Sequence, residues 1–391
     1  MVAKSKGILS FAVIALMAMY PVHSILNVEI KTLFVLALIY LFVAFFIARD
    51  ERLVGRDIVI SMIVFLLGVV GTIVSGSLHQ LYIGLTGAAA LMVVSANYHS
   101  LTTSFTIERI IKGNFIMLIG AWVAFFYTLL GGPSVLDVIN QENDATLSLF
   151  LTSFTNSVIE NTIRPAGLFD EPGAFAMFSI MTAALNELYY GKRSNTLALL
   201  LLNLITFSVM AVFALLLYFV LYFDRFREMK NKRTVFFFLF CTIVFGIYYY
   251  DIVSDLLFFR FTFEEGKFMP NNSRSVQVDY FFDTVTTDIL FSGHHVLFGD
   301  SIAMDSNPFS ILFMSGIFVW TPYLVLIVWL AVSSFREIGQ TRFAAASLGL
   351  LLLQRPYVYS LYWGLLTSYY YLCILNVRNA ASNGFQKPEC D

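Results

Sequence analysis

TLALLLLNLITFSVMAVFALLLYFVLYF, residues Thr196–Phe223, runs for 28 residues without a charge. Lys192 and Arg193 stand before it, and Arg225, Arg227, Lys230, Lys232 and Arg233 follow it. Lys and Arg collect on the cytoplasmic side of a membrane protein. Both flanks therefore read as cytoplasmic, and the stretch has to enter and come back. At about 1.5 Å per residue, each half falls short of a hydrocarbon core of about 30 Å. The expectation is a hairpin that turns near Phe207–Ser208, buried among other helices. The alternative is one long tilted helix.

The surrounding chain supports a membrane reading. Of 391 residues, 58% are hydrophobic and 13% charged, about half the ~25% of a soluble domain. Apolar runs of spanning length recur at Gly7–Leu26, Thr32–Ala48, Ile58–Gly76, Leu81–Asn97 and Phe115–Gly131, then at Pro172–Tyr190, Val235–Tyr250 and Phe309–Val332. Lys4 and Lys6 before the first run resemble a signal-peptide start, but no clean cleavage site follows, so it reads as an uncleaved first helix. A second long stretch, Phe343–Asn376, is interrupted by Gln354-Arg355-Pro356. Proline ends or kinks a helix, and a lone arginine at mid-membrane is costly. Two helices, Phe343–Leu353 and Tyr357–Asn376, answer both problems.

The expected fold class is all-α: a single polytopic helix bundle over residues 1–391, with about twelve transmembrane segments and both termini inside. That layout leaves 18 of the 24 Lys and Arg inside and 16 of the 26 Asp and Glu outside, the asymmetry that orientation requires. The three cysteines, Cys241, Cys373 and Cys390, fall outside the outer loops, so no disulfide is expected. No Asp-x-Asp element, nucleotide-binding loop or His/Cys cluster is present; neither a metal nor any other cofactor is expected, and no nucleic-acid partner.

Two outer loops, 132–171 and 251–308, are far longer than structureless connections usually are, and they carry aromatics among polar residues. The few cations inside them oppose the orientation rule. Arg164 is the sole cation of the first loop, while Arg260 and Arg274 lie in the second among nine acids. An arginine among acids is often a structural ion pair. Four arginines on one face, counting Arg355, suggest instead a bound anion, because guanidinium matches phosphate bidentately.

The sharpest local signal is Arg164-Pro-Ala-Gly-Leu-Phe-Asp-Glu-Pro-Gly173. Pro172 suits a first helical turn. Asp170 and Glu171 lie at the positive end of the helix dipole, where acids can serve simply as caps.

At this junction the chain resembles the O-antigen polymerase (Wzy) family, whose Arg-x-x-Gly-x-Phe-x-Glu-Pro-like element is matched by Arg164, Gly167, Phe169, Glu171 and Pro172. A second likeness runs through Asn272-Ser-Arg-Ser275 and His295-Val-Leu-Phe-Gly-Asp300 to Gly316. A third is Ile205-Thr-Phe-Ser208, followed here by Val209 where the family usually has arginine. The resemblance implies a GT-C-like, metal-independent glycosyltransferase of the cell inner membrane, with its active site facing the periplasm. It would polymerise undecaprenyl-diphosphate-linked oligosaccharide repeat units into surface polysaccharide. Its partners would be that lipid-linked oligosaccharide, membrane lipid and a chain-length regulator protein.

The residue chemistry points the same way. A departing diphosphate gathers negative charge that fixed cations stabilise; Arg164 and Arg274 are the first candidates, with Arg260 and Arg355 behind them. A base must take the acceptor's proton, and Glu171, His294 and His295 are the candidates. Two rival readings remain. An O-antigen ligase shares architecture and donor. A lipid-linked oligosaccharide flippase would place ionisable groups at mid-membrane, where these spans show almost none.

Overall fold

The computed structural model describes residues 2–26, 28–47, 55–139, 146–159, 162–191, 193–222, 261–264, 267–270, 280–293, 309–336, 339–355, 357–361 and 363–382. The expected span Val235–Tyr250 and the basic run 225–233 lie outside these residues, as do Arg260, Arg274, His294 and His295.

Among the described residues the long apolar runs are helical, but not always in one piece. The first run splits into α1 (Val2–Ala18) and α2 (Tyr20–Leu26). Pro21 contributes no backbone N–H, and at the break the Leu16 carbonyl meets Met19 N at 3.1 Å and His23 Nε2 at 2.6 Å. Next come α3 (Ile30–Ile47), α4 (Gly55–Ser75) and α5 (Leu78–Ala96). The pair α4 and α5 cross at glycine: a Cβ on Gly84 would sit 2.9 Å from the Gly68 Cα. Small residues let helices approach this closely where lipid gives no hydrophobic drive to associate. A single turn, α6 (Tyr98–Leu101), leads into α7 (Ser104–Leu129). That helix starts eleven residues before the expected span because the Thr103 side chain caps it, accepting from Thr106 N.

The loop after α7 adds short strands to the helical bundle. It carries a three-stranded antiparallel sheet of β1 (Leu136–Ile139), β2 (Thr146–Phe150) and β3 (Ser153–Thr155), then a hairpin of β4 (Val158–Ile159) and β5 (Thr162–Ile163). Leu147 and Phe150 of β2 are both buried, in separate apolar clusters on its two faces. A further hairpin, β6 (Phe261–Glu264) with β7 (Lys267–Pro270), lies in the second long loop.

Helix α8 (Pro172–Tyr190) is the core of the bundle, buried along nearly its whole length. Pro172 opens it and Gly191 closes it with a left-handed φ of 58°, the conformation in which glycine carries no steric cost. The stretch that decides the layout then divides into α9 (Arg193–Leu202), a 3-10 turn at Asn203–Thr206 and α10 (Val209–Tyr222). Phe207 holds a left-handed φ of 47° at the break. Both ends of this stretch return to one place: Gly191 packs against Gln340, and the Tyr222 hydroxyl donates to the Gly339 carbonyl at 2.9 Å. A single crossing would put those ends on opposite faces. It is a hairpin.

The chain continues with α11 (Thr287–Ser292), α12 (Ser310–Arg336), α13 (Gln340–Gln354), a 3-10 turn at Tyr357–Tyr359 and α14 (Gly364–Ser382). Gly316, φ 78°, breaks α12, and a Cβ there would overlap the Phe291 carbonyl of α11. Helix α14 begins at Gly364, later than the expected Tyr357. Among the described residues four helices, α4, α5, α7 and α12, are long and apolar enough to cross a membrane, with four shorter apolar helices beside them. The chain is therefore a mostly helical membrane protein.

Candidate functional site

The site is built where the first long loop enters α8. Strand β3 fixes its floor. Phe154 N donates to the Gly167 carbonyl at 2.8 Å, and Gly167 N donates to Ser153 Oγ at 2.8 Å. Gly167 has a φ of 63° and a Phe175 ring where a side chain would point. Phe169 is fully buried, stacked between Phe175 and Trp363 with centroids 5.8 and 5.7 Å away. These two motif residues shape the junction; neither offers a reacting group.

Arg164 is only 5% exposed. Its backbone is pinned on both sides: its N donates to the Ser157 carbonyl at 3.0 Å, and its own carbonyl accepts from Thr155 Oγ1 at 2.7 Å. Its Nη2 donates to the Phe207 carbonyl at 2.9 Å. That carbonyl is available because Phe207 sits at the non-helical turn of the α9–α10 hairpin. The turn is itself tied to α8, with Asn203 Nδ2 donating to the Ala176 carbonyl at 3.2 Å. Two of the sequence motifs, around Arg164 and around Thr206-Phe207-Ser208, thus meet at the N-terminal end of α8.

Arg355 arrives at the same end from α13. It leaves that helix in an extended conformation (φ −138°, ψ 101°), the region favoured before a proline. Its backbone N still caps the Leu351 carbonyl at 2.8 Å, and Tyr323 of α12 donates to the Leu352 carbonyl at 2.8 Å. The guanidinium, 5% exposed, forms an ion pair with Glu171, which is 33% exposed. It lies so near the first turn of α8 that a Cβ on Gly173 would stand 2.7 Å from Arg355 Nη2.

Glu171 occupies the position before the helix but makes no capping bond with its side chain. The simpler expectation, an acid serving as a cap, is not what this carboxylate does. A cation over a helix N-terminus is opposed by the dipole, and the Glu171 carboxylate offsets it. Asp170 beside it is half-buried.

The structure brings Arg164, Glu171 and Arg355 to one end of α8. Arg260, Arg274, His294 and His295 lie outside the described residues. The nearest described position to the histidine pair is Gly293, packed against Met314 and Ser315 of α12, next to Ser292, whose carbonyl accepts from Gln80 Nε2 at 2.9 Å.

Two buried carboxylates escaped the sequence reading. Asp57 pairs with Arg56 at 2.7 Å and accepts from Ser95 Oγ at 2.6 Å, and Arg56 reaches Asn376 Oδ1 at 3.0 Å, joining α4, α5 and α14. Glu187 accepts from Thr196 Oγ1 at 3.1 Å and from the Tyr218 hydroxyl at 3.4 Å, joining α8 to both arms of the hairpin. The signal was available, since Glu187 is the one charge inside the run Pro172–Tyr190. Among the described residues no group of His, Cys, Asp and Glu could hold a metal ion. In comparisons with known proteins, no protein-family model, no curated protein and no solved structure matches the chain.

Proposed function

We propose that this chain is a metal-independent membrane glycosyltransferase that polymerises undecaprenyl-diphosphate-linked oligosaccharide repeat units. In this reading it crosses the inner membrane in twelve segments, with the Arg164–Glu171–Arg355 end on the periplasmic face. One observation carries the proposal. Two arginines, each almost fully buried, are held at the same end of a buried helix, and one lies directly over that helix's N-terminus. Guanidinium matches phosphate oxygens bidentately, and backbone N–H groups at a helix start favour an anion. A diphosphate suits this combination.

The chemistry follows from the charges. The acceptor sugar hydroxyl attacks the anomeric carbon of the donor unit, and the bond from that carbon to the diphosphate oxygen breaks. The electron pair leaves with the diphosphate, whose growing charge falls to Arg355 and Arg164. Diphosphate binding to Arg355 competes with Glu171 for the same guanidinium. The displaced carboxylate is then able to take the acceptor proton. His294 and His295 remain alternative bases.

The test is deletion in a strain whose surface polysaccharide resolves as a ladder on gels, with complementation by wild type, Arg164→Ala and Arg355→Ala. A polymerase leaves single repeat units on lipid A-core when lost, and neither alanine variant restores the ladder. Loss of all surface glycan points to a ligase or flippase instead.

A further inference from the structure

The tip of the β2–β3 hairpin rests against α7 well below the end of that helix. Phe150 and Ser153 pair across the tip, leaving Leu151 and Thr152 as a two-residue turn. Thr152 Oγ1 donates to the Gly120 carbonyl at 2.6 Å. Phe150 packs with Ala124 and Tyr127, so the strand climbs α7 from that contact towards Leu129. Helix α7 is one of the four long enough and apolar enough to cross a membrane. Gly120 follows Lys112, its last charge, by eight residues and precedes Leu129 by nine. At about 1.5 Å per residue, Gly120 stands about 12–14 Å from either limit. That is well inside a hydrocarbon core about 30 Å thick.

Leucine is a poor choice for this turn in water. Leu151 holds a left-handed φ of 56° and Thr152 does not, as in the II′ turns that place glycine first. In water such a position favours Gly, Asn or Asp. Leu151 is also 51% exposed, so packing within the chain does not account for it. Beside Gly120 on α7, Ile116 and Ile119 are 70% and 55% exposed, and at the start of β1 Val135 and Leu136 are exposed as well. The first charge of the loop, Asp137, pairs with Ser148. Ser148 lies three residues before Leu151, about 10 Å back along the strand, which returns Asp137 to the level where α7 ends.

We propose that the β2–β3 hairpin is inserted in the bilayer, with Leu151 against the lipid hydrocarbon of the leaflet at the Leu129 end of α7. Backbone in hydrocarbon has to satisfy its polar groups within the protein. Thr152 does so at the turn, its hydroxyl on the Gly120 carbonyl and its amide on the Phe150 carbonyl at 2.6 Å. Strand β3 is also the floor of the candidate site, so the insertion fixes the height of that site relative to the lipid. None of this depends on which ligand the α8 end binds.

The experiment uses the full chain in nanodiscs with a nitroxide attached at Leu151→Cys. Cys241 and Cys390 are replaced by alanine, and the buried Cys373 is retained. Collisions with oxygen, which partitions into lipid, are compared with those of a water-soluble nickel chelate. Ile119→Cys marks the lipid and Asp137→Cys marks the water. The oxygen-to-nickel ratio at Leu151 should match that at Ile119 and exceed that at Asp137 by about fivefold or more. A ratio like that at Asp137 places the turn in water and overturns the proposal. Protection from both reagents overturns it too, because protein then covers the turn. The yield of folded protein is a second readout. Leu151→Gly relieves the backbone and should keep the yield, whereas Leu151→Asp should lower it about fivefold, because a charge in hydrocarbon is costly. Wild-type yield from Leu151→Asp, a residue that suits a turn in water, also overturns the insertion.

Discussion

Replacing Gly173 by alanine separates a structural from a functional Arg355 by the sign of its effect. In an ordinary helix, glycine to alanine stabilises by about 0.5–1 kcal/mol, and Gly173 lies in the first turn of α8. Here the added Cβ would sit 2.7 Å from Arg355 Nη2. The guanidinium must withdraw, loosening its pair with Glu171. Breaking a fully buried pair costs about 3–5 kcal/mol. This pair is displaced, not broken, and Glu171 is a third exposed, so about 1–2 kcal/mol is the proper scale after discounting for solvent. The two effects nearly cancel in stability. They do not cancel in activity, since each 1.4 kcal/mol of lost transition-state stabilisation is about tenfold in rate. Thermal unfolding of the purified variant should stay within a few degrees of wild type while polymer output falls at least tenfold. A variant more stable by the full helix-propensity gain, with a normal ladder, refutes the placement of Arg355 over this helix end.

Three further outcomes follow from the same contacts. Arg164→Lys should rescue polymer poorly, because lysine cannot reproduce the directed bond from Nη2 to the Phe207 carbonyl and still present a fork to an anion; gels of the complemented strain read this. Phe169→Ala removes a buried ring stacked on Phe175 and Trp363 and should lower stability by about 3–5 kcal/mol, seen as loss of folded protein by fluorescence-detected size exclusion. Reporter fusions at Ser194 and Lys230 should both read cytoplasmic, and opposite readings would refute the hairpin orientation.

Some of the fold was legible in the sequence because particular residues announce a boundary. Helix α8 was bounded as expected since Pro172 cannot continue a helix upstream and Gly191 can adopt the left-handed closure. The hairpin was legible from charge alone, and Phe207 turns where the apolar stretch had to reverse. Elsewhere, hydropathy marks the apolar part of a helix and not its end. Helix α7 runs through Glu108, Arg109 and Lys112, with Glu108 and Lys112 paired at 2.6 Å along its surface, so its start follows a capping threonine instead of the lipid boundary. Hydropathy likewise does not register the break that divides the first apolar run, which contains Pro21, into α1 and α2. The small sheets of the first long loop are made from strands of two to five residues, too short for alternation to stand out.

The site was half legible for a different reason. Local motif residues could be singled out, but their roles depend on partners far along the chain. Glu171 meets Arg355 across 184 positions, and Arg164 meets Phe207 across 43. Nothing in the sequence around Glu171 distinguishes a capping acid from one that faces an arginine. What distinguishes them is Gly173, and only once Arg355 is in place. A helix start gains nothing from glycine at that position, where alanine would hold the turn better. The absence of a side chain is explained by the guanidinium that occupies the space. The same reasoning divides the motif: Gly167 and Phe169 yield their space or surface to β3, Phe175 and Trp363, whereas Arg164 and Glu171 spend charge in an apolar bundle. Shape alone accounts for the first pair. It does not account for two buried arginines, with Glu171 and Asp170 beside them, at the positive end of a helix.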